Sequence, residues 1–77
     1  MTAQQAWPSI KAMALSKMDS GKATRIEIRN LYLLRQFGLK QEELEAVVRI
    51  VQHDGELKGE FTPSEIILSR RAKGGDA

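Results

Sequence analysis

Few side chains in this sequence can do covalent or metal chemistry, and they stand apart. His53 is the single histidine and cysteine is absent. Zinc and other transition metals therefore lack the set of nitrogen and sulfur ligands they need. The same absence removes disulfides and thiolate nucleophiles. No serine stands in a glycine-flanked elbow that would expose it as a nucleophile. His53 beside Asp54 reads as a helix-end pair rather than a catalytic one. These features predict a chain that is not an enzyme and holds neither cofactor nor metal.

Two loop chemistries are also set aside. "SGKAT" ends like a phosphate-binding loop, but no glycine stands five residues before Gly21, and Ala23 replaces the hydroxyl. "EELEAVVRIVQHDGELKGEF" resembles the entering helix and loop of an EF-hand. With Gly55 at loop position 6, Ile50 and Gln52 fall where oxygen ligands belong and Phe61 where a glutamate belongs. Asp54 alone has the right chemistry, so no calcium site is expected.

What remains is charged and hydrogen-bonding chemistry at helical spacing, around "FGLKQEELEAVV". With Gly38 in a turn, Leu33 and Phe37 precede it, Leu39 follows, and Leu44 and Val47 recur one and two turns on. Those are the buried positions of a helix-turn-helix, and residues 30–49 resemble one. The resemblance implies that the second helix enters a DNA groove. Lys40, Gln41, Glu42, Glu45, Ala46 and Arg49 would then face the duplex. Gln41 and Arg49 carry donors and acceptors suited to base edges. The stretch departs from the pattern in two ways. Leu34 stands where the helices cross and a small residue is usual. Glu42 and Glu45 would face phosphates and repel them.

The same glycine and spacing also build an ordinary corner between two helices. The alternative reading is therefore a protein-interaction module, an inhibitor or adaptor without nucleic-acid binding. It would use Glu42, Glu45 and Arg49 on the acidic helix, or an apolar surface around Trp7 and Tyr32.

Charge and length frame both readings. The chain has 77 residues, a net charge of +2 and a pI of about 9.2. Its ends are basic and its middle acidic, which the pattern of Lys, Arg, Asp and Glu makes plain. Lys22, Arg25, Arg29, Arg70 and Arg71 are candidate phosphate contacts beside Lys40, Gln41 and Arg49. One module this small offers little interface, so binding as a homodimer is expected, in the manner of a transcriptional regulator. No apolar run approaches the roughly 20 residues of a membrane span. The N-terminus lacks a basic start followed by an apolar block, so a cytoplasmic protein is expected.

The elements that must position these residues read as an all-α bundle of four short helices in a single domain, 1–77. The first would run from Pro8 to Asp19 with Trp7, Ile10, Ala14 and Met18 in one stripe, ended by a left-handed Gly21. The second would start at Thr24, where "TRIE" has the form of a capping box. It would be central, because Ile26, Leu33 and Phe37 oppose Ile28, Leu31 and Tyr32. The third would run from Lys40 to His53 on Leu44, Val47, Val48 and Val51. A loop over 53–61, with a short hairpin or single strand, leads to a second capping box, "TPSE". That box would open a last helix carrying Ile66, Ile67 and Leu68, fraying into a basic tail over 70–77.

Overall fold

The computed structural model describes residues 2–71 of the chain. It corrects the all-α expectation. Three helices lie against a three-stranded antiparallel sheet, in the order α1 (Ala3–Gly21), β1 (Arg25–Arg29), α2 (Asn30–Phe37), α3 (Gln41–Gln52), β2 (Leu57–Phe61), β3 (Glu65–Arg70). The sheet order is β1-β3-β2, so the last strand sits in the centre.

Helix α1 begins earlier than Pro8. Thr2 caps it: its hydroxyl accepts from the Gln5 backbone amide at 3.2 Å, and the Gln5 side-chain Oε1 accepts from the Thr2 backbone amide at 3.0 Å. This reciprocal pair satisfies two amides that a helix start otherwise leaves open. It carries the helix through Pro8, whose ring removes one internal hydrogen bond. Ala3, Ala6, Trp7, Ile10, Ala14 and Met18 form the buried face. At the other end Gly21 stays helical, and Lys22 takes the left-handed conformation with φ 52°. The Ala23 amide then donates to the Met18 carbonyl at 2.8 Å, closing the end.

The expected second helix is two elements. Residues 25–29 form β1, and only from Asn30 does the chain turn helical. "RIEIR" alternates, and the alternation is used: Ile28 pairs with Ile66 and Ile26 with Leu68 across to β3. Cross-strand pairs of branched side chains outweigh a helix that would have split Ile26 and Ile28 onto opposite sides. Consequently α2 is not central, and Leu31 and Tyr32 lie exposed on it.

The expected last helix is β3. Thr62 does bond Glu65 as a capping box would: its hydroxyl accepts from the Glu65 amide at 2.9 Å. It also donates to the Glu65 carbonyl at 2.7 Å, and the Thr62 amide donates to the same oxygen at 2.9 Å. Those bonds close a hairpin turn over residues 62–64 instead of opening a helix. The hairpin thus spans 57–70, not 53–61, with Phe61 opposite Ile66 and Leu57 opposite Arg70.

The helices cover one face of the sheet. Ile28, Leu57, Ile66 and Leu68 point into the core they share with Ile10, Met18, Leu33, Leu44, Val47 and Val51. On the other face Arg25, Glu27, Arg29, Lys58 and Glu60 are exposed. Gly59 is the point of closest approach. A Cβ there would lie 3.2 Å from both Leu68 Cδ2 and Val51 Cγ1, so α3 and the sheet meet where the side chain is missing. No helix among the described residues is long and apolar enough to cross a membrane.

Candidate nucleic-acid interface

The corner read at residues 30–49 exists as two helices. Phe37 ends α2, Gly38 takes φ 63°, and α3 starts at Gln41. Only a residue without a Cβ adopts that φ at little cost. Leu33, Leu39, Leu44 and Val47 are buried, and Phe37 and Leu34 are half-buried against the same core. Leu34 therefore fits at the crossing despite its size.

Asn30 ties the start of α2 to the hairpin tip. Its side-chain amide donates to the Thr62 carbonyl at 3.2 Å and the Pro63 carbonyl at 3.3 Å, and its backbone amide donates to Ser64 at 3.0 Å. The hairpin turn thus stands beside α2. Nothing in the sequence pattern flagged Asn30, because its partners are brought in by the hairpin.

Helix α3 presents Gln41, Glu42, Glu45, Arg49 and Gln52 to solvent, and His53 just past its end is exposed as well. Glu42, Glu45 and Arg49 share one face by their spacing. Glu43, the third acid of the first turns, is directed elsewhere: its carboxylate accepts from the Ala3 amide at 2.8 Å, at the start of α1. The acidic charge beside Gln41 and Arg49 is therefore carried by Glu42 and Glu45.

The basic candidates divide into two groups. The first is occupied within the fold. Arg70 pairs with Asp19, and Arg25 with Glu27 at 3.3 Å. Arg71 does not extend a basic tail; its guanidinium donates to the carbonyls of Asp54 at 2.7 Å, Gln52 at 2.8 Å and Val51 at 3.4 Å. These carbonyls lie in the last turn of α3 and just past it, and Val51 also accepts from the Asp54 amide at 2.9 Å, so Arg71 is a C-terminal cap supplied from beyond β3. Lys11 of α1 adds to the same end, pairing with Asp54 at 2.9 Å and Glu56 at 2.8 Å. The Glu56 and Asp54 carboxylates hold the Lys11 ammonium above its ordinary value. Burial pushes Asp54 up, yet Lys11 and the amides of Glu56 and Leu57 together bring it below the usual carboxylate value. The rest of the basic tail, including Lys73, lies outside the described residues.

The second group has no ion pair among the described residues: Lys17, Lys22, Arg29, Arg35, Lys40, Arg49 and Lys58. Three of these, Arg35, Lys40 and Arg49, lie within the corner, Arg29 immediately precedes α2, and all four are exposed. Arg35 was missed from sequence. Its signal was its place on α2, two residues beyond the buried Leu33 and so off the packed stripe. Lys22 sits at the end of α1, apart from α3. Trp7, expected on an exposed apolar surface, is only 8% exposed and belongs to the core, whereas Tyr32 is 43% exposed.

Comparison with protein-family models, with curated proteins and with solved structures returned no match.

Proposed function

We propose that this protein binds duplex DNA through α3, as a helix-turn-helix flanked by a β-hairpin. The observation that carries the reading is the exposed cations Arg35, Lys40 and Arg49 within the corner and Arg29 at its start, none of them ion-paired among the described residues, with α3 exposed beside them. In such docking the first helix crosses the backbone and the second enters the major groove. Arg29, Arg35 and Lys40 suit phosphates, which position the protein. Gln41 and Arg49 suit base edges. Glu42 and Glu45 oppose binding by repelling phosphates, so the affinity of one copy is weak. Two copies on two half-sites supply the interface that one lacks, and the activity is that of a cytoplasmic transcriptional regulator.

Fluorescence anisotropy with mixed-sequence duplex at low salt tests this. Affinity should fall steeply as salt rises, because each phosphate contact releases counterions. Arg29→Ala with Arg35→Ala should lower the salt slope by about 2, and Arg49→Ala should cost about 1–3 kcal/mol at preferred sequences. Glu42→Gln with Glu45→Gln should tighten non-specific binding. Wild type that does not bind at micromolar protein, when the double glutamine variant does, would mean the acidic face excludes DNA. The protein-interaction reading through Glu42, Glu45 and Arg49 would then replace this one. It has its own support in the exposure of both acids.

A further inference from the structure

A second surface overlaps the first at α2. Tyr32 stands between two shallow clefts. One, about 280 Å³, is lined by Met13, Lys17, Glu27, Ile28, Arg29 and Tyr32. The other, about 370 Å³, is lined by Arg29, Leu31, Tyr32, Arg35 and Gln36. They share Arg29 and Tyr32, so they adjoin one another, and together they make a trough from α1 past the end of β1 onto α2.

The floor of the trough is apolar and more exposed than a packed surface would be. Leu31 is 56% exposed and Tyr32 43%. The Tyr32 hydroxyl donates to the Met13 thioether at 3.5 Å, which holds the ring against α1. The rim is cationic. Lys17, Arg29 and Arg35 have no ion pair among the described residues. Glu27 is the one acid lining either cleft, and its carboxylate is engaged by Arg25 at 3.3 Å.

We infer that this trough binds an acidic peptide segment that carries a large apolar anchor. The anchor packs against the exposed Leu31 and the ring of Tyr32, and carboxylates on either side meet Lys17, Arg29 and Arg35. Charge complementarity selects an acidic partner, and the apolar floor selects a protein. The exposed face of a DNA duplex offers phosphates but no apolar side chain to fill the space beside Tyr32. An enclosed small-molecule pocket would bury most of its ligand, whereas these clefts are open and adjoin one another, which suits an extended segment. Arg29 and Arg35 belong to this trough and to the proposed phosphate contacts, so the two ligands exclude one another. The peptide experiment is run without DNA, and its outcome is independent of the DNA reading.

The probe is a fluorescein-labelled nonapeptide of aspartate and glutamate with one central tryptophan, read by anisotropy and by amide chemical shifts of the full chain. Binding should shift resonances of residues 13, 17 and 28–36. Replacing the central tryptophan by alanine should weaken it at least about tenfold, as expected for a buried aromatic anchor. Tyr32→Ala should do the same, and Lys17→Ala and Arg35→Ala should each cost roughly threefold at low salt. Tyr32→Phe keeps the ring and should retain affinity within about twofold, which separates a lost floor from a disturbed fold. Equal binding of the tryptophan and alanine peptides would overturn the inference in favour of plain charge attraction. So would the absence of binding at millimolar peptide, or shifts that map to α3. Concentration-dependent shifts of the same residues without peptide would assign the trough to a second copy of the chain instead.

Discussion

The two ends of α3 are held by different means. At the C-terminal end three carbonyls are taken by Arg71, and Lys11 joins α1 to Asp54 and Glu56. Asp54 itself accepts from the Glu56 amide at 2.7 Å and the Leu57 amide at 3.1 Å, turning the chain from helix into β2. At the N-terminal end Lys40 supplies no side-chain cap. Among the described residues the one side-chain hydrogen bond there is outward, from the Ala3 amide at the start of α1 to the Glu43 carboxylate. The difference teaches where the helix is anchored and where it is left free. Lys40 and Gln41, the groups proposed above to meet DNA, lie at the end with fewer internal ties among the described residues.

The middle of the helix sets the scale against which either end is judged. Leu44 is fully buried. Leu44→Ala should cost about 2–5 kcal/mol, enough to threaten a domain of this size. Urea denaturation followed by circular dichroism would measure it. An end substitution of equal effect would show that the ends belong to the core rather than cap it. Arg71→Ala comes next. It strips the charged donor from three carbonyls and should cost about 1.5–3 kcal/mol. Amide exchange should rise first at the end of α3, and unchanged protection there would remove the contrast between the ends.

Asp54→Asn keeps the acceptor for two amides but loses the charge that pairs with Lys11, for about 0.5–1.5 kcal/mol. Its pH signature is sharper than its size. The folded Asp54 sits below its ordinary 3.8, so its stabilisation is present above that pH and is lost as pH falls through the lower folded value. Lys11 sits above its ordinary 10.5, so its stabilisation is present below that pH and is lost as pH rises through the higher folded value. Melting temperature against pH should therefore fall at both extremes in the wild type. The asparagine variant should lose much of the acid limb; an unaltered acid limb would mean other carboxylates govern it. The smallest effect belongs to the free end. Glu43→Gln retains an acceptor for the Ala3 amide but removes charge from two helix starts, about 0.3–1 kcal/mol, and this should shrink further in high salt. A cost as large as that of Arg71→Ala would reverse the comparison.

Periodicity made part of this architecture legible. The stripe of α1, the stripe of α3 and the glycine between α2 and α3 follow from spacing and from backbone sterics, which act within a few residues. The exposed Gln41, Glu42, Glu45 and Arg49 followed from that spacing as well. The two Thr-x-x-Glu stretches were not legible. "TRIE" forms no cap and lies at the start of β1, while "TPSE" makes the threonine-to-glutamate bond and closes a hairpin. "TAQQ" is where a capping box does open a helix. A hydroxyl three residues before an amide is compatible with a helix start or a tight turn, and the local energies differ little. What decided between them was distant: Ile26 and Ile28 find Leu68 and Ile66 some forty residues away, and only the paired strands bury both rows at once. The same holds for the site. The sequence by itself determined which side chains are cationic. The tertiary structure decided which remain available, because Asp19 reaches Arg70, the end of α3 takes Arg71, and the core takes Trp7, leaving Arg29, Arg35, Lys40 and Arg49 facing out.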